Sequence, residues 1–203
     1  MLNVLSVVCS ILFCSYPATQ ESRIVKIVNE TGSGTGFLIS NRNNKSFYVT
    51  NLHVCSSIYS PNYYQLSRVK VETGSGRLYN AETKVHDNRY DLCILSVDKV
   101  ITTRPLNYKR IDLSRDDQLE ILTQPRYGRN IAAVYKGKDE SRDAWSYNHH
   151  DNHVALGHCE SGMSGSPVLR HGYVVGVVWG CTKDGRYAEF TPSRYLDDLL
   201  QTL

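Results

Sequence analysis

No block of like charge runs anywhere in this chain. Its 23 basic and 20 acidic residues are interspersed and leave a formal net charge of +3, so no stripe is available to track a phosphate backbone and nucleic acid is not expected as a partner. Internal repeats and low-complexity tracts are missing too, which argues against a repeat array. Sustained helical periodicity is missing until the last turns of the chain, which points to an all-β protein. Depletion of apolar residues is not among the absences: 41% of the 203 residues are hydrophobic and 21% charged. That balance excludes disordered, collagenous and polytopic membrane classes and leaves one ordinary domain or two small ones, with a core that does not depend on disulfides.

What is present begins with an uncharged opening stretch. Residues 1–16 are rich in Leu, Val, Ile and Phe and give way to Pro17, Ala18 and Thr19. The stretch is shorter than the roughly 20 apolar residues of a membrane span, and it reads as the apolar region and cleavage zone of a signal peptide over residues 1–18. A secreted or periplasmic protein without stable membrane insertion after leader removal is expected. Of the six cysteines, Cys9 and Cys14 belong to the leader, and Cys55, Cys93, Cys159 and Cys181 remain, an even number that an oxidising compartment could pair.

Short β-branched and aromatic runs then alternate with turn clusters. Ten strands are expected, at 24–28, 36–39, 47–50, 69–72, 92–97, 120–123, 131–135, 167–169, 174–179 and 187–190, with hairpin turns at 41–44 and 170–172. Ten short strands suit two small barrels better than one open sheet. A terminal helix is expected to start with Thr191 as cap and Pro192 in its first turn, placing Leu196, Leu199, Leu200 and Leu203 on one face. The polar stretch 98–118 reads as the connection between halves, giving an N-terminal unit over 19–108 and a C-terminal unit over 109–203.

Three segments carry reactive groups in suitable surroundings. In Gly162-Met163-Ser164-Gly165-Ser166-Pro167, glycines flank a serine, which permits a tight turn that exposes the hydroxyl and gathers backbone N–H groups into a concavity able to stabilise an oxyanion. A serine hydroxyl needs a base, and of the seven histidines only His53, in Tyr48-Val49-Thr50-Asn51-Leu52-His53, directly follows a strand. Asp91, at the mouth of the apolar run Leu92-Cys93-Ile94-Leu95, can hold an imidazole in one tautomer. Asp87 competes with it, but no apolar strand follows Asp87 at once. Neither a metal nor a cofactor is expected: His149, His150, Asp151 and His153 lie in a polar stretch that reads as a solvated loop. Two glycosylation sequons, at Asn29 and Asn44, have meaning only in a eukaryotic secretory pathway.

In this order the segments resemble the trypsin-like (chymotrypsin-fold) serine peptidases, and their motifs are most similar to the HtrA-like branch, here without a PDZ-like extension. Gly32-Ser33-Gly34-Thr35-Gly36-Phe37-Leu38-Ile39, Thr50-Asn51-Leu52-His53-Val54, Asp91-Leu92-Cys93-Ile94-Leu95 and Gly162–Pro167 each resemble a motif of that branch. Gly176–Gly180 resembles its substrate-pairing strand, and Gly185-Arg186-Tyr187 its closing segment. The resemblance implies two packed six-stranded antiparallel barrels with a short C-terminal helix. It implies hydrolysis of peptide bonds in a protein or peptide substrate, with Ser164 as nucleophile, His53 as general base and Asp91 as its orienter, and an oxyanion hole from the N–H groups of Gly162 and Ser164. By the same resemblance His158, Cys159 and Ser161 form one wall of the substrate pocket, Val178, Trp179 and Gly180 another, and Cys159 and Cys181 form a pocket disulfide while Cys55 and Cys93 stay free thiols.

Two departures bear on activation and specificity. Met163 stands where the digestive enzymes carry the aspartate that binds a freshly cut N-terminus. Arg23-Ile24-Val25 imitates an activation site, but only ten positions separate Ile24 from Gly34, so Ile24 is expected in a first strand. His158 holds the position of the trypsin pocket aspartate, so no preference for Arg or Lys is implied. The readings that compete with a serine endopeptidase are an inactive binding module on the same fold and a viral-type polyprotein-processing protease.

Overall fold

The computed structural model describes residues 23–60, 63–102, 104–124, 130–138 and 151–203. The leader segment, Trp145, His149 and His150 lie outside the described residues. In chain order the elements of the first half are β1 (Ile24–Val28), β2 (Ser33–Arg42), β3 (Lys45–Thr50), a single-turn helix α1 (Leu52–Cys55), β4 (Ser56–Ser60), β5 (Tyr63–Leu66), β6 (Val69–Glu72), β7 (Leu78–Asp87) and β8 (Leu92–Val97). Strands β1-β2-β3-β8-β7-β6 close into an antiparallel barrel, with β4 and β5 as a separate hairpin. The second half contributes β9 (Gln118–Leu122), β10 (Asn130–Lys138), β11 (His153–Leu156), β12 (Pro167–Arg170), β13 (Tyr173–Cys181), β14 (Tyr187–Pro192) and the helix α2 (Arg194–Leu200). Its strands close in the order β10-β11-β14-β13-β12-β9. The expected all-β architecture of two six-stranded barrels with a terminal helix is what the structure shows.

Local sequence explains the tight hairpins. Asn43 and Asn44 have φ of 50° and 60°, as do His171 and Gly172 at 51° and 79°, and they join the directly paired Arg42 and Lys45, and Arg170 and Tyr173. Two successive residues at positive φ give the turn whose twist matches the flanking strands. Ile24 pairs with Phe37, and the Arg23 carbonyl accepts the Leu38 N–H at 2.8 Å, so Ile24 is a sheet residue, as expected.

Each barrel has its own apolar filling, and a third cluster joins them. Val25, Ile27, Leu38, Tyr48 and Leu95 fill the first barrel, and Leu119, Ile121, Ala155, Val175 and Phe190 the second. Phe37, Val49, Leu92 and Ile94 from the first pack with Leu169, Val174, Val177, Leu196 and Leu199 from the second. This shared cluster fixes the relative position of the halves through the area it removes from water. The described residues between Val97 and Gln118 carry no strand beyond a bridge of Tyr108 to Val174.

Several expectations are corrected. Strands β4, β5, β7 and β11 stand where none was expected. β7 is the most instructive: Leu78-Tyr79-Asn80-Ala81-Glu82-Thr83-Lys84-Val85-His86-Asp87 has no fully buried residue, so it closes the barrel through backbone pairing and gives little apolar signal. The terminal helix begins at Arg194 rather than at Pro192, because Thr191 and Pro192 still pair with Val177 and Gly176 in the sheet; Leu203 lies past its end and is exposed. Asp151 and His153 are not in a solvated loop. His153 is buried at the start of β11, with its Nδ1 2.9 Å from the Tyr135 hydroxyl, and burial together with Lys138 pushes its pKa down to about 4. The Asp151 carboxylate is taken by Lys138, Arg194 and the Tyr195 hydroxyl.

The cysteines are corrected as well. Cys159 and Cys181 pair, and Cys55 and Cys93 are bonded to each other rather than free. Both partners of the second bridge are fully buried. It closes a 38-residue separation, which restricts the unfolded chain. Replacing Cys55 and Cys93 together by serine is expected to cost about 2–4 kcal/mol of unfolding free energy, read from the shift in a urea or guanidinium transition against the parent protein.

Candidate active site

The segment that carries His53 is too short to hold its own shape. α1 spans four residues, a single turn, and its Cys55 N–H donates back to the carbonyl of Asn51, the residue before it, at 3.2 Å. Its conformation is set by partners outside it, and Asp91 supplies four. The Asp91 carbonyl accepts Leu52 N–H at 3.1 Å and Asn51 Nδ2–H at 2.9 Å, and its Oδ1 accepts His53 N–H at 2.8 Å. Its Oδ2 lies 2.5 Å from His53 Nδ1. Asp91 adopts φ of +52° at the entry to β8, a left-handed conformation that Asp tolerates better than most residues. Its carboxylate side chain is 1% exposed and that of His53 30%. Burial pushes the His53 pKa down, but the Asp91 charge and hydrogen bond outweigh it, and the net direction is above the ordinary histidine value. Asp87, the competing acid, is instead engaged with the backbone and guanidinium of Arg89 in its own turn.

Ser164 belongs to the other barrel, in the turn before β12. Gly162 and Gly165 on either side have φ of +94° and +87°, which is why both are glycine. Gly165 has a second reason: a Cβ there would lie 1.9 Å from the Thr35 carbonyl oxygen and 2.4 Å from Thr50 Oγ1. The turn is clamped to the first barrel by Thr35, whose N–H donates to the Ser164 carbonyl at 2.7 Å and whose hydroxyl donates to the Gly162 carbonyl at 2.9 Å. Thr50 Oγ1 in turn donates to the Thr35 carbonyl at 2.6 Å. With those carbonyls held, no described residue accepts the N–H of Gly162 or of Ser164. The Met163 N–H between them is engaged with the Glu160 carbonyl at 3.2 Å.

His53 and Ser164 line one cleft of about 430 Å³ at the seam of the barrels, together with Asn29, Thr31, Gly32, Ser33, Val54, Glu160, Ser161, Gly162, Gly180 and Cys181. In this structure Ser164 Oγ donates to the Trp179 carbonyl at 3.2 Å, so pairing with the imidazole requires rotation about its Cα–Cβ bond. The register of β13 against β14 shifts between Val178 and Gly180, and such a bulge re-aims the carbonyl of the residue inside it. Of the other pocket residues expected from sequence, Ser161 and Gly180 line the cleft. Val178 is buried in the second barrel, Cys159 is buried in its disulfide, and His158 is exposed with its Nε2 3.5 Å from Glu160.

Sequence reading gave no role in the site to Asn29, Thr35, Thr50 or Gln124. Gln124 is 6% exposed, and a Cβ on residue 162 would meet its Nε2 at 2.9 Å, so it backs the Gly162 turn. Both threonines stand in motifs that carry the resemblance, Thr35 just before an expected strand and Thr50 at the end of one, but without a role of their own. Asn29, two residues before a threonine and three before a glycine, carried an Asx-turn signal.

An imidazole fixed at Nδ1 by a buried carboxylate has Nε2 free to take a proton, and unpaired backbone N–H groups beside a hydroxyl can hold an oxyanion. Gly165→Ala is expected to destabilise the fold by more than about 3 kcal/mol, since it adds a backbone collision to a positive φ; thermal unfolding of the purified variant checks this.

Comparison with known proteins follows the same lines. The Rv3671c protease in its inactive form has 23% sequence identity and a TM-score of 0.69, with 91% of each chain covered; its active form, from M. tuberculosis, superposes with a TM-score of 0.72 at 22% identity over 92% of this chain and 83% of that one. Deg5 has 22% identity and a TM-score of 0.66 over 89% of this chain and 88% of that one. The HtrA-type protease AlgW with a tripeptide has 16% identity and a TM-score of 0.69, and the match spans 91% of this chain but 62% of that one. These likenesses are of fold. A search of curated protein sequences finds no significant match. The family model of the trypsin-like peptidase domain matches residues 34–177, which contain His53, Asp91 and Ser164, and the chain belongs to that peptidase family.

Proposed function

We propose that the protein is a serine endopeptidase that hydrolyses peptide bonds through an acyl-enzyme on Ser164. The observation that carries this reading is the meeting, in one cleft, of an Asp91-held imidazole from the first barrel and a serine in a glycine-flanked turn from the second. Ser164 Oγ attacks the scissile carbonyl carbon while His53 Nε2 takes its proton. Asp91 keeps the ring in the tautomer with hydrogen on Nδ1 and stabilises the imidazolium. The N–H groups of Gly162 and Ser164 receive the charge on the tetrahedral oxyanion. Collapse expels the amine, which leaves with the proton from His53, and water then hydrolyses the ester by the same base.

Protein or peptide substrates follow from peptidase chemistry. No described helix is long and apolar enough to cross a membrane, and two disulfides are consistent with an extracellular or periplasmic location. Secretion behind a cleaved leader belongs to this proposal. A non-catalytic binding module is favoured by one observation, the bond of Ser164 Oγ to the Trp179 carbonyl. Active-site hydrogen bonds are often unmade before substrate arrives, so this contact is compatible with the catalytic reading.

Two measurements test the reading. A fluorophosphonate probe is expected to label the protein and Ser164→Ala to abolish labelling; labelling that survives the substitution contradicts the site. Because the base works only when neutral and its pKa is raised, kcat/KM is expected to fall as pH drops through a midpoint above the ordinary histidine value. Asp91→Asn is expected to move that midpoint down and to lower kcat by about 10⁴-fold, as read from a pH–rate profile on a peptide substrate.

A further inference from the structure

One polar side chain next to the dyad has every hydrogen-bonding valence engaged. Asn29 Nδ2 donates to the Val54 carbonyl at 3.0 Å and to the Ser56 carbonyl at 3.0 Å. Its Oδ1 accepts the Thr31 N–H at 2.8 Å, the Gly32 N–H at 2.6 Å and the Thr31 hydroxyl at 3.1 Å. One amide thus joins two structures that border the cleft: the exit of α1, which begins one residue after His53, and the turn 29–32, whose residues Thr31 and Gly32 line the cleft with Ser33.

The helix exit needs this help. The last carbonyls of a helix have no partner within it, and at this exit Leu52 O accepts the Ser56 hydroxyl at 2.8 Å, Cys55 O the Ser67 N–H at 3.0 Å, and Val54 O and Ser56 O the Asn29 amide. Asp91 holds the entry to α1 from one side, and Asn29 holds its exit from the other. We infer that Asn29 is a positioning residue: its amide fixes the His53 turn and the Thr31–Ser33 wall of the cleft as one body, so that base and substrate wall keep a common geometry. This rests on the peptidase reading above for its consequence in catalysis, but not for the positioning itself. Both Nδ2 hydrogens are in use, and a carbohydrate on the Asn29 sequon would need one of them.

Asn29→Asp is the discriminating variant, because a carboxylate keeps the three acceptor contacts of the turn and loses both donors, setting negative charge against two carbonyls. With peptide substrate, kcat is expected to fall about 10- to 100-fold, the scale of a misplaced catalytic group, with KM changed less than about threefold. Ser57→Ala, which removes a side-chain contact outside the cleft, to the Gln65 carbonyl at 3.3 Å, is expected to leave both constants within about threefold. In the same full-chain samples the His53 imidazole resonances, read by NMR, are expected to move in Asn29→Asp and to stay in Ser57→Ala. Should Asn29→Asp not fold, Asn29→Ser, which keeps an oxygen acceptor, is expected to show the same pattern to a smaller extent. A folded Asn29→Asp or Asn29→Ser protein with parental kcat and unmoved His53 resonances overturns the inference. Fluorophosphonate labelling that is absent from the parent, or unaffected by Ser164→Ala, overturns the peptidase reading alone, since the His53 resonances report on Asn29 without any activity.

Discussion

The attachment of Asp91 to the segment 51–53 is the constraint on which the rest of the site depends. A buried carboxylate is costly unless its charge is met by hydrogen bonds or a partner charge. Here one oxygen takes a backbone N–H and the other an imidazole N–H, while the Asp91 carbonyl takes two further donors. The two contacts that make burial of the carboxylate tolerable, with the two on the carbonyl, fix a one-turn helix that cannot fix itself. The Cys55–Cys93 bridge repeats the linkage two residues further along each segment, so the segment of Asp91 and the turn of His53 are joined twice. The pair also separates stability from activity along the pH axis. A histidine pKa raised in the folded state adds stability that is fully present below the unfolded value and is lost as pH rises through the folded one. Proton transfer to His53, by contrast, becomes available only as pH rises through that folded value.

The second barrel supplies the hydroxyl and the backbone donors, and its placement follows from packing and from Thr35. The apolar cluster of Phe37, Leu92 and Ile94 with Leu169, Val177 and Leu196 holds the barrels face to face. Thr35 then bonds directly to the peptide units that flank the Ser164 turn. Gly34 allows the close approach this needs, since a Cβ there would lie 2.9 Å from the Ser164 carbonyl oxygen and 2.7 Å from Val54. The cleft is thus a product of three contacts between halves far apart in sequence. Asn29, Thr31, Gly32 and Ser33 of the first half also line the cleft, and Glu160 of the second is its acidic lining residue.

What could be read from sequence was whatever is encoded locally. Strands with continuous apolar faces, such as Leu92–Val97 and Val69–Glu72, were legible to the residue, as were the hairpin turns at Asn43-Asn44 and His171-Gly172. The three reactive segments were legible because each pairs a chemical group with a local backbone signal. The unread parts depend on partners distant in the chain. β7 is a strand because two neighbours close a barrel around it, and its polar residues give no hint of that. Cys93 looks like a small apolar residue until the fold brings Cys55 to it. Asn29 and Thr35 are ordinary turn and strand residues in sequence, and acquire their roles from carbonyls 25 or more positions away.

The most direct test of the account is the pH titration of the His53 imidazole by NMR, in the Ser164→Ala protein so that the Ser164 hydroxyl plays no part, and again with Asp91→Asn added. A midpoint above the ordinary histidine value of about 6.5, which falls when Asp91 loses its charge, is the result the account predicts. A midpoint at or below that value, unmoved by Asp91→Asn, would contradict it.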